Sequence, residues 1–263
     1  YNEADRAVEG RRAARTGRRL IGLSHGLMAK PAVALPASGP EAAWVGEALQ
    51  TAKRTRGTSR RLQGTEATES NLRGAVAGKR VVHLATHAVI RPGADARLHV
   101  PHGDRYRLQP GLEIHAHRFD PLLMSGVLLS GVNLRVTEGE DDGLLTALEA
   151  THLDLDSAEL VVLSACDSAK GMHQAAEGTM GLVRGFRLAG ARNVVGSLWK
   201  VLDGPTDAFM RGFYTRWLDR GSMSAALALR EASLAMRRGE HGAAGRKARN
   251  WAAFVAYGPL RVK

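Results

Sequence analysis

The sequence predicts an α/β sandwich, with a mostly parallel central sheet between layers of helices. Two observations carry that expectation. From about residue 65 onward, short apolar runs alternate with helical patterns, the signature of a sheet wound with crossover helices. Two of the runs, in Lys79–His87 and Leu160–Gly171, are continuously apolar and end in chemistry-bearing residues. A continuous run bounded by turn chemistry fits a strand buried on both faces.

Bulk composition agrees. The chain has 263 residues, 44% apolar and 24% charged, which suits a globular domain. No apolar run is long enough to span a bilayer, so no membrane partner is expected. Arg11, Arg12, Arg15, Arg18 and Arg19 interrupt the start, unlike a secretory leader. Tyr1 in place of Met suggests a piece of something longer. Cys166 is the only cysteine, which excludes an internal disulfide and points to a reducing compartment, the cytoplasm. The net charge of +11 admits nucleic acid or an acidic partner. Scattered arginines and only 5% aromatics argue against direct nucleic-acid binding.

In chain order, residues 1–19 read as a basic segment, the end of a preceding region, and Leu20–Leu23 as a short strand. Pro31–Pro40 reads as loop with an extended piece at Ala32–Leu35. Glu41–Arg54 is predicted helical, with Trp44, Ala48 and Leu49 on one face. A second helix is expected over Thr65–Ala77, with Thr65 as N-cap and Gly78 as terminator. The His87 strand follows. Residues 88–124 read as irregular. Ser125–Ser130 is a predicted strand, Leu144–Ala150 a helix, and Ser157–Ser164 the strand before Cys166. Helices are expected over Glu177–Ala189, Pro205–Asp219 and Ser224–Arg237, the second with a core stripe of Phe209, Phe213 and Trp217. Arg192–Trp199 is the strand between the first two, and Trp251–Val255 closes the fold.

The chemistry concentrates at two strand ends. In open α/β sheets, ligands gather at the C-terminal ends of the strands. A thiol acts as nucleophile only as thiolate, and an imidazole can take its proton. Cys166, among Ser164, Asp167 and Ser168, sits in a setting too polar for an ordinary core cysteine. His87, at the tip of its run, is the candidate base, and His83, inside the run, the structural histidine. The histidines at 99, 102, 115 and 117 lack the spacing of a metal site, and no phosphate-cradling glycine loop is present. No metal or other cofactor is expected.

The motifs also resemble a known family. HLATH (83–87), SGVLLS (125–130), DGLLTALE (142–149), LVVLSAC (160–166), the stretch 177–201 and WAAFVAYG (251–258) resemble the CHAT domain, in that family's order. CHAT domains are caspase-like modules related to separase. The resemblance implies a caspase-like three-layer sandwich over residues 20–263 and a cysteine endopeptidase with a His87–Cys166 dyad. It also implies an oxyanion hole from the backbone amides of Ala88 and Cys166. Asp203, then Asp207, match the segment that supplies a substrate-binding acid in separase-like relatives. The implied partners are a protein substrate and a regulatory protein or upstream TPR-type sensing region, in a setting such as bacterial defence. Two departures stand out: Ala88 replaces the glycine usual after the catalytic histidine, and Asp167–Gly171 replaces a Thr-Gly pair. They keep open a second reading, a catalytically inactive scaffold that binds a protein partner.

Overall fold

The computed structural model describes residues 38–55, 57–90, 125–132, 141–167, 172–199, 203–219, 223–242 and 245–259, with Leu35, Leu122 and Val201. The basic segment 1–19, the pieces Leu20–Leu23 and Ala32–Ala34, and the histidines at 99, 102, 115 and 117 lie outside them.

Helix α1 (Ser38–Thr51) comes first. Pro40 sits inside its first turn, where a missing N–H costs nothing. A short 3-10 turn (Gly64–Glu66) and helix α2 (Glu69–Val76) follow. The expected single helix from Thr65 is therefore split. Thr68 is the true N-cap, its hydroxyl accepting from the Asn71 amide at 3.2 Å. Gly78, at φ +69°, ends the helical segment as predicted.

Strand β1 (Val81–Ile90) outruns its predicted end by three residues. Strands β2 (Ser125–Leu128) and β3 (Leu144–Thr146) form an antiparallel pair. The helix predicted over Leu144–Ala150 is thus corrected: its first three residues pair with β2, and only Ala147–Ala150 (α3) is helical. The switch falls at Thr146, whose capping box with Glu149 closes both exposed amide donors.

Strand β4 (Leu160–Asp167) contains Cys166 rather than stopping before it. Then come α4 (Met172–Leu188), β5 (Val194–Ser197), α5 (Asp203–Asp219), α6 (Ala225–Arg238), α7 (Ala248–Trp251) and β6 (Phe254–Tyr257). The sheet order is β3-β2-β1-β4-β5-β6. Its centre, β1-β4-β5, is parallel, and β2 and β6 run against it.

Two apolar cores lie on opposite faces. Even-numbered positions of β1 (Val82, Leu84) and odd positions of β4 (Val161, Leu163) pack with Leu72, Val76, Leu182 and Phe186 of α2 and α4. The alternate positions, Leu160 and Val162, pack with Phe209, Phe213, Tyr214 and Trp217 of α5 and with α6. The predicted stripe Phe209–Phe213–Trp217 is buried throughout. On α6, Leu229 and Met236 are buried, but Leu227 is 44% exposed. Helix, sheet and helix make the three layers of a caspase-like sandwich, as predicted.

Candidate functional site

The site is built by register. Strands β1 and β4 are parallel and pair residue for residue from Val81↔Leu160 to Ala88↔Asp167. Within that ladder His87 is opposite Cys166. Register partners in adjacent strands occupy the same face, and neighbouring strands lie about 4.8 Å apart. The two residues singled out from separate motifs therefore share one lateral position near the C-terminal ends of two central strands. β5, parallel to β4, ends at the same edge, and the chain then enters α5.

His87 is half-buried and borders a cavity of about 370 Å3, whose other walls include Ser38, Gln63 and Ser130. It sits inside β1 rather than at its tip. The strand continues through Ala88, which is buried and paired with both Val127 and Asp167. No non-glycine residue among those described has a positive φ. Alanine after His87 therefore imposes no backbone strain, and extended strand replaces the left-handed turn that a glycine would permit.

Four residues upstream on the same face lies a network whose partners the sequence did not reveal. His83 Nε2 lies 3.1 Å from Glu41 Oε1 of α1, and His83 Nδ1 lies 3.1 Å from the Tyr214 hydroxyl of α5. All three side chains are buried. Burial, and secondarily the Glu41 carboxylate, push the Tyr214 hydroxyl well above its usual range, so it remains a neutral phenol. Polar groups in an apolar layer are costly unless paired. His83 Nδ1 and the Tyr214 hydroxyl form a hydrogen bond, whereas Glu41 Oε1 and His83 Nε2 approach each other closely but make no hydrogen bond among the described residues. The network joins α1, β1 and α5 directly upstream of His87. Its one sequence signal is Glu41, an acid one turn before Val45 on the buried side of α1. Ser164 lies on the Cys166 face of β4, and its Oγ is buried without a hydrogen-bond partner among the described residues.

Asp203 is the first residue of α5, six residues after β5 ends. Asp207, one turn on, accepts from Arg211 Nε at 2.8 Å. That guanidinium also lies 4.8 Å over the Trp44 ring. Asp207 is thus held in an intrahelical pair against α1. Among the described residues no three histidine, cysteine, aspartate or glutamate side chains group as a metal site. No described helix is long and apolar enough to cross a membrane.

Comparison with known proteins gives this geometry its context. The family model described as CHAT domain matches residues 5–259. The chain belongs to the CHAT family. It is also similar to tetratricopeptide repeat protein 28 of mouse, 30% identical over 207 residues covering 75% of this chain. The human protein of the same name is 28% identical over the same length. The chain spans about 8% of the length of these curated relatives. Membership in the CHAT family places the fold in the caspase-like clan, and the motifs HLATH and LVVLSAC become the two strands of its centre. The relatives' printed names describe repeats and state no catalytic activity.

Proposed function

We propose that this CHAT domain is a cysteine endopeptidase in which His87 and Cys166 form the catalytic dyad. The observation that carries the reading is the β1–β4 register, which sets the imidazole-bearing and thiol-bearing residues opposite one another. In that reaction the Cys166 thiol gives its proton to His87, and the thiolate attacks a peptide carbonyl. His87 then protonates the leaving amine as the C–N bond breaks. Water, deprotonated by His87, hydrolyses the acyl-enzyme and restores the thiol. The amides of Ala88 and Cys166 are the oxyanion donors of this proposal; Ala88 is paired on both sides within the sheet, so its amide serves only when the end of β1 opens. Asp203 is its substrate-binding acid. Asp207, already paired with Arg211, is the weaker candidate.

A protein substrate and control through a partner or a TPR-type region belong to the same proposal. The tetratricopeptide names of the relatives support the second. A cytoplasmic setting and a role in defence complete it. The test compares cleavage of an unbiased peptide library by the wild type, Cys166→Ala and His87→Ala, with N-terminal sequencing of the products. Cleavage by the wild type alone is expected, and equal cleavage by all three refutes the mechanism.

One observation favours a second reading, a non-catalytic scaffold. β1 runs unbroken through His87 and Ala88 to Ile90, with no turn after the histidine. Labelling by a thiol-reactive peptide electrophile separates the two. A scaffold labels at the rate of a free thiol, and His87→Ala leaves that rate unchanged.

A further inference from the structure

The far edge of the sheet offers a feature independent of the dyad. β6 is the terminal strand and, among the described residues, pairs with β5 alone. The ladder phase shows which of its backbone groups are open. The Leu198 amide donates to the Ala253 carbonyl at 2.8 Å, so that pair is hydrogen-bonded. Antiparallel ladders alternate bonded and non-bonded pairs. Val255 and Tyr257 therefore direct their N–H and C=O groups at β5, while those of Phe254 and Ala256 point away from it. An edge with free donors and acceptors is a template for another strand.

A groove of about 320 Å3 runs beside this edge, between β6 and α6. Its wall carries Leu229 and Leu234 with Arg230 and Arg237, and no acidic residue among those described lines it. Arg230 pairs with neighbouring Glu231 at 2.7 Å on the exposed rim. Arg237 has no carboxylate partner among the described residues. The groove thus combines apolar walls, cationic flanks and an adjoining row of backbone groups that no described strand pairs. A second copy of this chain would bring the same arginines against these. An acidic segment would complement them.

We propose that β6 and α6 form a docking site for an extended acidic segment of a partner protein. The segment adds as a strand beside β6, bonding to the backbone of Phe254 and Ala256. Its central apolar side chain enters the groove, and its carboxylates meet Arg230 and Arg237. Main-chain bonds supply affinity, and the groove with its charges supplies selectivity.

The probe is a fluorescein-labelled heptapeptide, Asp-Glu-Val-Leu-Val-Glu-Asp, and the readout is fluorescence anisotropy. The protein is the full chain carrying Cys166→Ala, so cleavage does not enter the measurement and failure of the peptidase reading leaves this test intact. Saturable binding is expected, weakened at least tenfold by Arg230→Glu with Arg237→Glu. A probe of identical charge with proline in place of its leucine lacks one main-chain donor and should bind at least tenfold more weakly. Absence of saturable binding overturns the proposal, as does equal binding of the proline probe, which would leave only a charge effect of the basic chain. Sedimentation showing β6 occupied by a second copy overturns it in favour of self-association. Unchanged circular dichroism of the double variant confirms that lost binding is not lost folding.

Discussion

Loss of the Glu69 proton should make stability fall as pH rises towards neutrality. Glu69 opens α2 and is buried, with Oε1 accepting from the Gly143 amide at 3.0 Å and Oε2 meeting Arg73 at 3.1 Å. Burial first, then the nearby Glu149 and Asp142 carboxylates, raise its pKa from 4.5 to about 7, against the opposing pull of Arg73. Between those values the folded chain binds a proton that the unfolded chain has released. The contribution is therefore complete below about pH 4.5 and is lost as pH rises through about 7. At about 1.4 kcal/mol per unit the whole shift would be roughly 3 kcal/mol. Solvent screening at the open side of the cluster reduces the expected effect to about 1–2 kcal/mol. Glu69→Gln keeps an acceptor for Gly143 and removes the titration. Urea denaturation of both proteins from pH 5 to pH 8 should show the wild type losing that much more stability than the variant across the range. Parallel curves, or a wild type that gains on the variant as pH rises, would refute the reasoning.

Other predictions concern packing and the buried network. A side chain at Gly185 of α4 would press on the Ala147 carbonyl, so Gly185→Ala should cost about 1–3 kcal/mol. Gly74→Ala in α2 meets nothing and should gain about 0.5–1 kcal/mol, both changes read as shifts in Tm. Tyr214→Phe removes the hydroxyl facing His83 Nδ1 and should cost about 1–3 kcal/mol in urea denaturation. Trp217→Ala empties the centre of the α5 core and strips the ring under Arg54, whose guanidinium lies 4.3 Å from its centroid. A loss of about 3–5 kcal/mol is expected by the same measurement.

The parts of this fold written locally were legible, and the parts written by pairing were not. The stripe of Phe209, Phe213 and Trp217 declares its helix because its period matches the buried face. Leu144–Ala150 misleads because its leucines suit a helix, and only β2, distant in sequence, draws Leu144–Thr146 into the sheet. The local clue was the Thr146–Glu149 box. Thr68 was obscured by Thr65 in the same way. At the site, His87 and Cys166 were each visible as the end of an apolar run. Their opposition depends on a register between two strands far apart in sequence, which neither run encodes alone. The partners of His83 were hidden for the same reason, since Glu41 and Tyr214 come from two remote helices.

The unequal chemistry of the two cores gives the molecule a built-in optical reporter. All four tryptophans, Trp44, Trp199, Trp217 and Trp251, belong to the core on the α5 and α6 side. The opposite core, under α2 and α4, contains none. Intrinsic fluorescence therefore observes one half of the sandwich, whereas far-ultraviolet dichroism averages over both. If the two signals melt at one temperature, the layers unfold together across their shared sheet. If dichroism begins to fall first, the tryptophan-free layer has loosened by itself, and the order of disassembly is read without a label.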